Sequence, residues 1–209
     1  MPKINLLKKL NLIPNFIYET IVTTYNPENK TPNAAPMGIF FLDENQLIIS
    51  PYNSTKTYRN LVNSGCGVIN FTFDLELFLE TAFNTAIPKL PAKFFENADQ
   101  VDAPRLKDAV AYIEIRVLET QKGEDRSKIL GKVVTWEIST LIFHPINRGY
   151  NLALESIIHA TRIVAFKKDP EKVKTLKNLI AQYQKIIEKV APTGDFIKVM
   201  ERIQDIINK

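Results

Sequence analysis

Along this chain the apolar positions first alternate with polar ones and later recur at helical spacing. Residues 1–15 form a short helical or irregular lead-in that ends near Pro14. From Phe16 to Tyr25 the run FIYETIVTTY is rich in β-branched and aromatic residues, which predicts a strand. The following NPENKTPN signals a turn. Ala35 to Leu42 predicts a second strand, Asp43-Glu44-Asn45 a tight turn, and Gln46 to Ser50 a third strand, together an antiparallel meander. Pro51 stops that strand. Ser54 then stands at an N-cap position before a helix that runs through Leu61 and Val62 and ends at Gly65. Cys66 to Thr72 predicts a buried strand and residues 74–83 a short helix. Residues 84–107 contain Pro88, Pro91 and Pro104 and predict an irregular, lid-like covering stretch.

Two longer strands follow. Val110 to Thr120 places Ala111, Ile113, Ile115 and Val117 on one face, and Lys132 to Phe143 does the same with Val134, Trp136, Ile138 and Ile142. His144 and Pro145 close the sheet region. Helices are predicted at Asn151–Phe166, Glu171–Val190 and Phe196–Ile207. Strands in antiparallel runs followed by helices give an α+β class. One apolar face on each long strand fits a small closed or half-closed barrel whose interior must be filled. The expected organisation is a barrel domain over residues 1–147 and a helical region over 148–209, packed on the barrel or on a second subunit.

Composition narrows the function classes. A chain of 209 residues can bury a sizeable core without a disulfide or structural metal. A single cysteine excludes an internal disulfide framework and fits a reducing cytoplasm. Two histidines disfavour most zinc and non-haem iron sites, so no metal is expected. No P-loop and no G-x-G-x-x-G fingerprint is present. No apolar run is long enough to span a membrane. The N-terminus lacks a continuous apolar core and a cleavage site, so no signal peptide is expected. From Lys167 onward there are ten Lys and Arg against six Asp and Glu, which accounts for the whole net charge of +4. That excess fits the solvated side of amphipathic helices better than a nucleic-acid footprint, and no aromatic-and-basic stacking surface accompanies it.

Three segments could carry chemistry. PYNSTKTYRNL, Pro51 to Leu61, sets hydroxyls and cations around a predicted helix N-terminus, a ready-made phosphate site or else an ordinary capped helix. TPNAAPMGI, Thr31 to Ile39, offers small residues past which a flat ligand could approach the backbone, or a plain loop-to-strand junction. Arg148, Glu155, His159 and Arg162 fall along one stripe of a helix, opposite Leu154, Ile157, Ile158 and Val164. That stripe is either a salt-bridged brace or dimer contact, or an anion- or substrate-recognising face, with His159 its one near-neutral titrating group. Cys66, between two small residues at a strand start, is expected to be buried and inert.

The order of these segments resembles the FMN-binding split barrels of the flavin-reductase-like and pyridoxamine-oxidase-like superfamily. Within it the chain is most similar to a prokaryotic, mostly archaeal family carrying Y-E-T-I-V-T-T, A-P-M-G, T-Y-R-N-L and a late R-G-x-x-x-x-L-E-x-x-I-H-x-T-R. Here these stand at Tyr18–Thr24, Ala35–Gly38, Thr57–Leu61 and Arg148–Arg162. The resemblance implies an antiparallel split β-barrel that binds FMN. It implies that Asn33, Ala34, Ala35, Pro36 and Met37 lie by the isoalloxazine ring. Tyr52, Ser54, Thr55, Lys56 and Thr57 would lie by the phosphate, and Asn70 near the sugar or ring. It also implies a homodimer with flavin near the interface, and oxidoreductase chemistry through the flavin; the alternative is non-enzymatic storage, sensing or delivery of FMN. The histidine with which flavin reductases recognise nicotinamide has no clear counterpart, so substrate, electron donor and any catalytic acid or base stay open.

Overall fold

The computed structural model describes residues 5–10, 12–83, 90–139 and 148–208. It divides into two compact units, one within Met1–Phe73 and Pro91–Ile142, the other within Asp74–Leu90 and Phe143–Lys209.

The first unit holds a short helix α1 (Leu6–Lys9), strands β1 (Tyr18–Tyr25), β2 (Pro32–Phe41) and β3 (Gln46–Ile49), helix α2 (Lys56–Ser64), and strand β4 (Cys66–Phe71). A single 3-10 turn (Ala92–Phe94), the short strands β5 (Phe95–Asn97) and β6 (Pro104–Leu106), and the long strands β7 (Ala111–Gln121) and β8 (Lys128–Ile138) complete it. Six strands close into an antiparallel barrel in the order β1-β2-β3-β8-β7-β4. Its interior is filled by Val22, Ile39, Phe41, Leu47, Ile49, Ile69, Ile113, Ile115 and Ile129, with Leu6 of α1 and Leu61 of α2 in the same cluster. Removing this much β-branched and aromatic surface from water supplies the main drive for closure.

β2 starts three residues earlier than its apolar pattern predicts, because Pro32 to Met37 pairs with β1. On its other side β2 pairs with β3 only at Ile39, Phe40 and Phe41. One edge of Asn33–Gly38 therefore has no strand partner among the described residues, and Pro36, which lacks an N–H to give, is tolerated in such a half-paired stretch.

The long strands depart from the expected faces. β8 begins at Lys128, since residues 129–132 pair with β3. A bulge lies where Glu114 opposes Thr135 and Ile115 opposes Val133, leaving Val134 unopposed. The extra residue reverses the alternation. Val133 and Trp136 pack on the core while Val134 is exposed, so the expected inward Val134 is a correction. Ile142 and His144 lie outside the described residues.

The stretch expected to be irregular is more ordered than that over 90–107. β5 and β6 form their own two-stranded sheet, which covers the outer face of β4 and β7 through Val101, Ala103, Cys66, Val68 and Tyr112. Glu114, fully buried on that face, accepts the backbone N–H groups of Asp99 (2.8 Å) and Gln100 (2.7 Å). Two such bonds to a carboxylate fasten the segment as a strap. Residues 84–89 lie outside the described residues.

The second unit contains α3 (Leu75–Ala82), α4 (Arg148–Ala165), α5 (Pro170–Val190) and α6 (Asp195–Ile207). α3, inside the stretch expected to belong to the barrel, groups with the three later helices. Its Leu75, Leu77, Phe78 and Leu79 are buried, and its Glu76 and Glu80 meet Arg202 of α6. Asp169 caps α5 with Pro170 in the first turn, where the missing N–H is harmless.

Candidate functional site

α2 is placed by its caps and by one glycine. Thr55, in an extended conformation, is the N-cap: its Oγ1 accepts from Tyr58 N at 3.2 Å and donates to Tyr52 O at 2.8 Å. The cap is thus Thr55 rather than Ser54. Ser54 is exposed, and its carbonyl takes the Arg59 guanidinium at 3.2 Å. Gly65 ends the helix with φ +68°, a left-handed conformation that favours glycine. At Gly67 a Cβ would stand 2.9 Å from Leu61 Cδ2 and 3.1 Å from Thr23 O, so only glycine lets the helix lie this close to β4.

This packing brings the two sequence segments together. Asn33 Nδ2 donates to Thr57 Oγ1 at 3.1 Å, joining the half-paired edge of β2 to the first turn of α2. Thr57 is buried, and its own hydroxyl proton has no acceptor among the described residues. Asn60, one turn on, donates to Thr24 Oγ1 at 3.0 Å. Lys56 and Arg59 are exposed, and no acidic residue lies in the first turn. The unpaired N–H groups of a helix start beside the exposed Lys56 and Arg59 give this end a positive character that suits an anion. By strand parity Asn33, Ala35 and Met37 share the inner face with Val22, while Ala34 and Pro36 lie on the outer face.

Tyr52, Ser54, Thr55, Lys56 and Thr57 are contiguous around this helix start, and Asn33 to Met37 lie along the adjoining strand. Asn70 does not join them. Fully buried, it donates to Ile21 O and Thr23 Oγ1, both at 2.9 Å, and accepts from Leu106 N at 2.9 Å. Its amide pins β6 to the outer face of β1 and β4, a structural use that the expected role near the sugar or ring did not include.

Two residues of the site carry no local sequence signal. Asn53 donates to the carbonyls of Gly123 (2.9 Å) and Glu124 (3.0 Å) and accepts from Ser127 Oγ at 2.6 Å, fastening the loop before α2 to the β7–β8 turn. Arg126, from that turn, lies over the Tyr52 ring with its guanidinium carbon 3.8 Å from the centroid. Both contacts join segments some seventy residues apart, beyond the reach of any local pattern.

The late stripe divides. Arg148 and Arg162 are exposed, Glu155 is half-exposed, and His159 is buried beside Ser156, Ala160 and Ile163. Val164, expected on the apolar face, is exposed. The four residues therefore do not form one open polar face. Cys66 is buried, its Sγ 3.5 Å from Asp102 O, and burial pushes its thiol up, as suits an inert residue. A separate shallow cavity of about 200 Å³ is lined by Leu42, Ile48, Leu130, Glu119, Gln121 and Lys128, with no residue from α2 or Asn33–Met37. Among the described residues there is no group of three metal-binding side chains, and no helix is long and apolar enough to cross a membrane.

Comparison with known proteins adds two findings. The N-terminal domain model of the protein family of unknown function DUF447 matches residues 18–140, and the family's second model matches residues 147–205. The fold is shared with an FMN-bound protein of Methanosarcina mazei assigned to the same family model. It has a TM-score of 0.78 and 24% identity, over 96% of this chain and 99% of that one. It is shared more distantly with a flavoredoxin of Methanosarcina acetivorans, at TM-score 0.53 and 16% identity over 62% and 76% of the two chains. An FMN-binding protein of Thermus thermophilus with bound p-hydroxybenzaldehyde gives TM-score 0.52 and 15% identity over 66% and 77%. At these identities the likeness establishes the fold, an α+β FMN-type split barrel.

Proposed function

Since the chain belongs to the DUF447 family, matching its N-terminal and C-terminal models in turn, we propose that it binds FMN at the start of α2 and the adjoining edge of β2. The Asn33–Thr57 bond carries this reading, because it joins an anion-holding helix end to a strand of small residues with one free edge. A family member of the same fold is FMN-bound. The residues fit the cofactor. Lys56, the Thr57 hydroxyl and the first N–H groups of α2 would hold the phosphate, and Ser54 and Tyr52 would flank it. Ala34, Ala35, Pro36 and Met37 would border the ring, where short side chains leave the backbone approachable.

Bound FMN would supply hydride or electron transfer. The protein's part is to orient the phosphate, keep the ring against an apolar barrel wall and limit water there. We extend the proposal to an oxidoreductase working as a homodimer, as the split-barrel resemblance implies, in the reducing cytoplasm that a single cysteine fits. A second reading, FMN binding without turnover, is favoured by one feature: Asn33–Met37 and Tyr52–Thr57 contain no carboxylate, imidazole or thiol to move a proton. Incubation with excess FMN, removal of free flavin and an absorbance spectrum test the binding. A turnover assay with NADH, NADPH and a reduced deazaflavin then separates the two readings.

A further inference from the structure

Helix α4 carries an ionisable ring into the apolar seam it makes with α5. His159 is 5% exposed, and its ring stacks on Tyr183 of α5 with centroids 5.8 Å and planes 28° apart. Its Nδ1 is buried without a hydrogen bond among the described residues. Glu155 Oε1, one turn earlier, lies 3.7 Å away on a half-exposed side chain, beyond hydrogen-bond reach but within range of a charge pair. Buried polar atoms are normally paired, so an orphan Nδ1 with a carboxylate just beyond hydrogen-bond reach is a feature the packing of α4 leaves unexplained.

We propose that His159 is a proton-operated latch on the α4–α5 seam: neutral, it stacks on Tyr183; protonated, it moves off that ring to pair with Glu155. The neutral imidazole is the better buried group, because an imidazolium needs both N–H donors satisfied and its charge solvated. Neither is provided against Tyr183. Glu155 offers an acceptor and, being half-exposed, access to water. The charges acting on the ring are those of α4 itself. Burial most strongly holds the imidazole below the ordinary histidine range, Glu155 opposes that, and Arg162 reinforces it. α5 contributes the Tyr183 ring. Between α3 and α6, both also packed on α4, Glu76 and Glu80 each pair with Arg202. A proton thus biases two arrangements of one seam. The proposal is independent of flavin binding.

The test is a pH titration of the 209-residue chain followed by NMR of the His159 and Tyr183 rings, with Glu155→Gln, Arg162→Gln and His159→Phe alongside. The latch requires a His159 midpoint below 6.5, the ordinary value, with Tyr183 ring signals shifting at the same midpoint. Glu155→Gln should lower the midpoint and Arg162→Gln should raise it. In urea unfolding, acidification from 6.5 down to the midpoint should weaken the natural protein, the loss levelling off below it, and His159→Phe, which keeps a stackable ring without a proton, should lose that dependence. A midpoint at or above 6.5, Tyr183 signals indifferent to it, or an unchanged acid dependence in His159→Phe would overturn the proposal. Should His159→Phe not fold, Glu155→Gln decides it: its Tyr183 ring signals should shift together with the lowered His159 midpoint, and Tyr183 signals that stay where they are in the natural protein would refute the latch.

Discussion

Asn33 gives its side-chain amide to Thr57 Oγ1 at 3.1 Å, and through that one bond the half-paired edge of β2 holds the first turn of α2. Thr57→Val keeps the shape and removes the hydroxyl. Stability should fall by about 1 kcal/mol, the net value of a neutral hydrogen bond. FMN affinity should fall by roughly tenfold as the remaining donor is lost. Thr57→Ser should retain most of both. Flavin fluorescence titrations and urea unfolding of the two variants check this.

Lys56 is exposed at the same helix end and contributes charge rather than packing. Lys56→Ala should weaken FMN binding about two- to five-fold at low salt, the size of an exposed charge interaction, and less at high salt. Riboflavin, which lacks the phosphate, should be unaffected. Equal losses for the two flavins would move the phosphate away from Lys56.

The strap over β4 and β7 depends on Glu114, whose two carboxylate oxygens each take one backbone N–H. Glu114→Gln turns an NH2 toward one of those donors and leaves it unsatisfied. The loss should be about 2–3 kcal/mol, the scale of a buried charge-assisted bond. Urea unfolding gives the number. Hydrogen exchange of residues 95–106 should accelerate more than that of the barrel strands.

At alkaline pH the helical unit should weaken. Burial first, and the charge of Asp74 second, push the Tyr150 phenol up to about 12. The folded unit therefore favours the neutral phenol more than the unfolded chain does. Its contribution is fully present below the ordinary tyrosine value of 10.0 and is lost as pH rises from there toward about 12. Tyr150→Phe should flatten that part of the stability profile, measured by urea unfolding at a series of pH values.

The meander β1–β3, helix α2 and the three last helices were legible because each has a recognisable period, and α2 is bounded by Pro51 before it and Gly65 after it. The bulge at Val134 was not, since one extra residue reverses the faces without leaving a mark in composition. The strap was not, because it is held by Glu114 and Asn70 reaching backbone groups of distant residues rather than by apolar periodicity. Asn70 shows the same limit at the site: its strand was readable, but its use under β6 depended on which face it takes. The segments around Ala35 and Thr57 stood out by residue type. Asn53 and Arg126, which steady and flank them, did not, because their partners lie in a turn far along the chain.

The most direct test of the account is a titration of the flavin-free protein with FMN, riboflavin and FAD, read by quenching of flavin fluorescence and by the shift in flavin absorbance. The site at α2 predicts saturable FMN binding, with riboflavin weaker for want of a phosphate and FAD weaker for want of a dinucleotide-binding segment. No uptake at excess FMN, or riboflavin bound as tightly as FMN, would contradict it.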